Sequence, residues 1–210
     1  MTRSVSAPDL YHRHHVAKGD ERLGLFRGLV ERYGVQSALY PGSFMHVTPS
    51  FVIPTVVYAD ADARAARFFA HPALHPFILR HRQYARAPEI RFHAGDFTTA
   101  IDEPDGSFDL LISQYAGFVS RACKRYLAVG GRLVVNNSHG DASMAALDPD
   151  WRLTAVYRRH GERFTFSCSD LDTYMIPKLG AAPTESDLER TMRGPAFTRS
   201  VAGYVFERAH

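Results

Sequence analysis

Lysine is scarce in this chain: of 25 basic residues only Lys18, Lys124 and Lys178 are lysine, and the rest are arginine. Such a bias reads as a trace of genomic base composition rather than a demand for guanidinium chemistry. Cysteine is almost as rare. Cys123 and Cys168 stand far apart without a partner pattern, which excludes a disulfide scaffold or a zinc module and fits a reducing compartment. No apolar run reaches the roughly 18 residues of a membrane span, and the polar N-terminal stretch lacks the apolar core of a signal peptide. A cytoplasmic protein without membrane attachment is therefore expected. Excess charge is small as well. The formal net charge of +3 does not by itself imply a nucleic-acid partner. Internal repeats and low-complexity linkers are missing too.

What is present suffices for one core: 210 residues, 45% of them hydrophobic. Residues 1–19 are polar, rich in histidine and without clear periodicity, and read as an arm ahead of a single domain over residues 20–210. His12, His14 and His15 lack Cys, Asp or Glu at ligand spacing, so a surface loop is expected there rather than a metal site. Leu23, Phe26, Leu29 and Val30 recur at helical spacing and Gly34 closes that segment. Residues 37–62 then read as strand, glycine turn, short helix and a second strand ending in acid. The turn at Pro41, Gly42 and Ser43 lies where open α/β sheets bind ligands. Thr48 and Pro49 read as an N-cap and first helical residue, aiming free N–H groups back at that turn. Asp60 follows the first strand by about 20 residues, the spacing at which a carboxylate accepts ribose hydroxyls.

Helices are expected over residues 63–70 and 71–84, and a short strand over 90–93 runs into Gly95, Asp96 and Phe97. The most apolar strand covers residues 108–113, followed by a helix over 115–127 that Gly130 and Gly131 stop, and a strand over 132–136. Strand-like alternation at 152–157, 163–168 and 200–207, with one helix at 185–192, predicts an antiparallel edge. The expected fold is α/β: a Rossmann-like, doubly wound, mostly parallel sheet with an antiparallel C-terminal edge. Residues 138–150 form the longest polar connection and read as a lid or substrate loop.

The order of these motifs resembles a class I S-adenosylmethionine-dependent methyltransferase from about residue 20 onward. ALYPGS stands at the family's glycine-rich loop, VVYAD ends at its ribose acid, HAGDF at its adenine station, SFDLLISQY at its fourth motif, and GGRLVVNNS at the next strand. The wording PGSF, HVTPSFVIP and NNSHGDAS is similar to a group of bacterial methyltransferase-like proteins. The resemblance implies S-adenosylmethionine as cofactor. Its methionine portion would meet Tyr40, Pro41, Gly42 and Ser43, its ribose Asp60 with Ala61, its adenine Asp96 with Phe97, and its methyl group Ser113 and Gln114. The family loop carries several glycines, whereas here Gly42 is followed by Ser43, Phe44, Met45 and His46. Two readings stay open: a turn completed by N–H groups of the helix at Thr48, or a degenerate pocket. Metal-dependent relatives place carboxylates at the ends of the fourth and fifth strands. Here those ends read Ser113-Gln114 and Asn136-Asn137, so a metal-independent reaction is expected.

Residues 136–141, NNSHGD, gather acceptor chemistry just past a strand. His139 is a candidate general base and Asp141 its orienting partner, though the same groups also suit a strand-ending turn. Ser138, His139 and Asp141 are too close in sequence to form a hydrolase triad, and no G-x-S-x-G elbow occurs. The basic run with His71, His75, Arg80, His81, Arg82 and Arg86, interleaved with Phe77 and Tyr84, suits either a phosphate backbone or a solvated helix face. Tyr115 and Phe118 suit either a substrate wall or core packing. The expected activity is methyl transfer to a small-molecule acceptor. Alternatives are a non-catalytic binding or scaffolding protein of the same fold, and an RNA methyltransferase. The apolar tail strands could also pair with another subunit.

Overall fold

The computed structural model describes residues 5–210, and the chain divides into two compact units, Met1–Asp102 and Glu103–His210. In the first unit, β1 (Ser37–Pro41), β2 (Thr55–Asp60) and β3 (Glu89–Ala94) form a parallel ladder in the order β3-β2-β1. Leu39, Val56, Val57 and Tyr58 are fully buried, as expected for strands covered on both faces. The connections are helical: α2 (Leu23–Tyr33) ends on left-handed Gly34 before β1, and α3 (Ala63–Phe69) and α4 (Leu74–His81) link β2 to β3.

The N-terminal arm is more ordered than its composition predicts. Met1 to Ser4 lie outside the described residues, but Ala7–His14 is a helix, α1, started by a reciprocal capping box between Ser6 and Asp9 with a proline in its first turn. Ala7 and Tyr11 are buried, so apolar contact holds the segment against its own unit. The expected helix at Thr48 is likewise corrected. A single 3-10 turn spans Thr48–Phe51, its N-cap is Val47, and no side chain caps it. The Thr48 hydroxyl instead meets the Tyr11 hydroxyl at 2.7 Å.

In the second unit β4 (Phe108–Ser113) and β5 (Leu127–Val135) pair in parallel, and the order continues β8-β6-β7 through antiparallel neighbours. These last strands are β6 (Trp151–His160), β7 (Arg163–Ser167) and β8 (Gly203–Arg208), with α7 (Glu185–Thr191) before β8. The α/β, Rossmann-like class and the antiparallel C-terminal edge thus stand as expected. Two elements differ. The long helix expected over 115–127 is reduced to α5 (Val119–Ala122) and a 3-10 turn at Lys124–Tyr126. Tyr115 at φ 65° and Gly117 at φ 93° hold left-handed conformations that a helix cannot include. Gly130 and Gly131 do not stop a helix; they lie inside β5, where the register against β4 shifts. Residues 138–150 are no polar lid, because α6 (Asp141–Leu147) occupies their middle and buries Asp141 through Ala145. Among the described residues no helix is long and apolar enough to cross a membrane.

Candidate functional site

In the first unit, the carboxyl ends of β1 and β2 are tied together by backbone and by one acid. The Gly42 N–H donates to the Ala59 carbonyl at 2.8 Å, with Gly42 at φ 64°. Phe44 adopts a left-handed φ of 48°, which turns its own N–H onto Asp60 Oδ2 at 2.7 Å. Asp60 Oδ1 accepts the Asp62 N–H at 2.8 Å. Each oxygen therefore holds one backbone donor and keeps capacity for another, since a carboxylate has about four acceptor sites. Ala61, beside it, is exposed. Ser43 is buried, and its hydroxyl has no partner among the described residues.

Beneath this turn lies a polar cluster that the sequence did not signal. Tyr40 and His46 are buried, and their hydroxyl and Nδ1 stand 3.0 Å apart. His46 Nε2 lies 2.9 Å from the Glu21 carbonyl, which can only accept, so Nε2 carries the proton and Nδ1 receives that of Tyr40. The Tyr11 hydroxyl donates to Glu21 Oε1 at 2.6 Å. His15 packs at a tilt against His46 with centroids 4.5 Å apart. Burial pushes His15 down to about 4 and His46 well below the usual histidine range, so both rings are neutral at pH 7. His46 belongs to the floor of the turn, while the Phe44 ring stands between His14 and Arg64.

A cavity of about 310 Å³ opens beside the ends of β2 and β3, lined by Ala59, Phe92, Gly95, Asp96, Phe97 and Ile101 among others. Asp96 is exposed there, and its carboxyl, accepting the Thr98 N–H at 2.9 Å, is held below the usual carboxylate range by that backbone bond. Phe92, Phe97 and Ile101 supply apolar walls, and Asp96 and Asp102 supply carboxylates, a mixed lining that suits a planar heterocycle bearing an amino group.

The second unit holds the remaining predicted residues in two separate networks. Asp141 is fully buried. It accepts the Ser113 hydroxyl at 2.5 Å, the Ser120 hydroxyl at 2.5 Å and the Ser120 N–H at 3.2 Å. Burial raises its carboxyl to about 6 against the lowering effect of those bonds. The expected pairing with His139 is thus replaced by a structural clasp on the end of β4 and the start of α5. His139 meets Ser138 instead: Ser138 Oγ donates to Asn136 Oδ1 at 2.7 Å and lies 3.1 Å from His139 Nδ1. With its one proton on Asn136, Ser138 must accept from Nδ1–H, leaving the Nε2 lone pair available as a base. Gln114 is buried and joins this second network, donating to the Tyr157 hydroxyl at 3.3 Å and accepting from Asn136 Nδ2 at 3.5 Å. Ser120 and Tyr157 escaped sequence reasoning because neither stands in a motif. Tyr115 is 59% exposed and so is not core packing. Among the described residues no group of three His, Cys, Asp or Glu side chains could hold a metal.

No family model matches the chain, and no curated protein matches it. Solved structures resemble it in part. YcgJ protein from Bacillus subtilis aligns at 20% identity and a TM-score of 0.41 over 56% of this chain and 50% of that one. The chain thus spans half of that protein. A methyltransferase from Geobacter sulfurreducens aligns at 21% identity and a TM-score of 0.46, covering 63% and 70% of the two chains. An O-methyltransferase from Bacillus cereus, solved in complex with SAH, aligns at 13% identity and a TM-score of 0.47, covering 76% and 83%.

Proposed function

We propose that this protein binds S-adenosylmethionine and transfers its methyl group to a small-molecule acceptor without a metal ion. The observation that carries the reading is the cavity at the ends of β2 and β3, with the Asp96 carboxylate on its rim and the Asp60 clamp on the strand beside it. The cofactor, when bound, supplies an electrophilic methyl on a sulfonium. The residues present fit such a ligand: Asp96 would accept from the adenine amine while Phe92, Phe97 and Ile101 enclose the ring. Asp60 would take ribose hydroxyls on its remaining lone pairs. Tyr40, Pro41, Gly42 and Ser43 would border the amino-acid portion. Ser113 and Gln114 would line the space around the methyl group, Tyr115 would wall the acceptor, and His139 Nε2 would accept the acceptor's proton. Positioning accounts for most of the rate such a site supplies.

One observation favours a second reading, a non-catalytic binding protein of the same fold. The Phe44 N–H sits on Asp60, so the turn partly satisfies the acid that would hold the ribose. Calorimetry with S-adenosylhomocysteine separates the two. Saturable binding that raises the melting temperature supports the transferase. No heat and no shift leave the scaffold reading in its place.

A further inference from the structure

Around Phe44 the first unit assembles positive charge that the cofactor reading does not use. The His14 ring packs edge-on against Phe44 with centroids 5.2 Å apart, and the Arg64 guanidinium lies 5.1 Å from the centre of the same ring. Arg13 precedes His14 in the last turn of α1, and Lys18 closes the 3-10 turn Val16–Lys18 that follows. Burial and then Lys18, Arg13 and Arg64, in that order, hold His14 below the usual histidine range, so these cations lie within electrostatic reach of one ring. Of the group, Arg64 is paired through a bidentate contact with Asp62. Arg13 and Lys18 are exposed and have no hydrogen-bond or ion-pair partner among the described residues. Basic residues at a helix C-terminus complement its dipole, which accounts for Arg13 and His14, and for Lys18 at the end of its own 3-10 turn, but not for Arg64 near the start of α3. Since the Phe44 N–H is bound to Asp60, this collar borders the end of β2 where the proposed ligand enters.

We propose that Arg13, His14, Lys18 and Arg64 form a receptor for a phosphoryl group. Arginine and lysine present charge-assisted donors to phosphate oxygens, and the partly buried His14 adds a neutral N–H. The receptor stands on the collar alone; that the phosphoryl group belongs to the methyl acceptor rests on the proposed function. Two sources share this chemistry, a small phosphate ester and the backbone of single-stranded RNA.

The test titrates the full chain with inorganic pyrophosphate and, separately, with a short oligouridylate, at about 50 and 200 mM salt. The same is done for the double variant Arg13→Gln, Lys18→Gln, whose substituted side chains are exposed and have no hydrogen-bond or ion-pair partner among the described residues. The wild type binds and the variant binds at least tenfold more weakly, with an unchanged melting temperature. On the oligonucleotide the variant's salt slope falls by about 1.4, the value for two lost cation contacts on a single strand. Tighter binding of the oligonucleotide than of pyrophosphate identifies RNA as the source, and the reverse identifies a small ester. Equal affinity of variant and wild type, or no binding by the wild type, overturns the receptor. A melting-temperature shift with S-adenosylhomocysteine is read in parallel. If it is absent while pyrophosphate still binds through Arg13 and Lys18, the transferase reading fails and the receptor stands.

Discussion

Asp141 and Ser120 are joined twice: the Ser120 hydroxyl and the Ser120 N–H both donate to the buried Asp141 carboxylate, at 2.5 and 3.2 Å. The Ser113 hydroxyl makes a third bond to it, so one acid at the start of α6 fixes both ends of the irregular segment between β4 and α5. Removing it orphans buried donors, each worth about 1–3 kcal/mol when left unpaired. Asp141→Ala should therefore lower the unfolding free energy by more than about 2 kcal/mol, read by urea denaturation. A loss under about 0.5 kcal/mol, the level of a neutral surface change, would refute the clasp.

Stability should respond to pH in two opposing ways. The Asp141 carboxyl is raised from 3.8 to about 6, so its contribution is complete below about pH 4 and is lost as pH rises to about 6, some 3 kcal/mol in all. His15 is lowered from 6.5 to about 4, so its contribution is present above about 6.5 and is lost as pH falls toward 4; His46 acts in the same direction. Asp141→Asn should steepen the gain in stability between pH 4 and 6, and His15→Phe should flatten it. Denaturation curves across that window decide the matter, and parallel curves for both variants and the wild type would contradict it.

Legibility in the sequence followed the strength of local signals. β4 was readable to the residue because apolar Phe108, Leu110, Leu111 and Ile112 follow the polar turn at Gly106 and Ser107. The hairpin strands β6 and β7 were readable from alternation, and α7 fell within the helix expected at 185–192, where the structure adds a capping box between Thr184 and Asp187. The helix expected at 115–127 failed because Val119, Cys123 and Tyr126 have helical spacing, while the decisive fact is the positive φ of Tyr115 and Gly117. α1 carried a visible box, Ser6 with Asp9 three residues on, which histidine-rich composition obscured. Asp60 was singled out by its spacing after the first strand and Asp96 by the resemblance of HAGDF, and the structure puts Asp60 at the last residue of β2 and Asp96 two residues past β3. The Asp141 clasp was not, because Ser113, Ser120 and Asp141 meet only in the folded unit.

Asp60 ties the turn after β1 to the end of β2, so its replacement should act on both loop and ligand. Asp60→Ala frees the Phe44 and Asp62 N–H groups and should weaken S-adenosylhomocysteine binding by roughly 1.5–3 kcal/mol, the range for hydrogen bonds to a charged group. Asp60→Asn, which keeps one accepting oxygen, should lose less. Unchanged calorimetric affinity in the alanine variant would take Asp60 out of the ligand site.

Gly203 sits where β8 passes β5 and β6 too closely for a side chain. A Cβ there would lie 2.3 Å from the Tyr157 hydroxyl oxygen and 2.6 Å from the Val135 carbonyl oxygen, and the second cannot yield without disturbing the β5–β8 ladder. Gly203→Ala should cost about 1–3 kcal/mol, the usual range for overpacking. Pairing it with Tyr157→Phe removes the hydroxyl but not the carbonyl, so the rescue should be partial. Full rescue in thermal melts would show that the backbone clash is unimportant.

His139 offers the sharpest separation between chemistry and architecture. Its ring is only part-buried, its Nδ1–H is committed to Ser138, and Nε2 has no partner among the described residues. His139→Ala should therefore leave stability within about 0.5 kcal/mol of wild type. It should also leave S-adenosylhomocysteine affinity unchanged, while slowing methyl transfer by about 10²- to 10⁴-fold, the usual contribution of a general base. Ser138→Ala should do less, because it loosens the ring without removing the proton acceptor. A normal turnover in His139→Ala would transfer the acceptor's deprotonation to another group. The buried Asp141 could not take that part, because Ser113 and Ser120 already enclose its carboxylate.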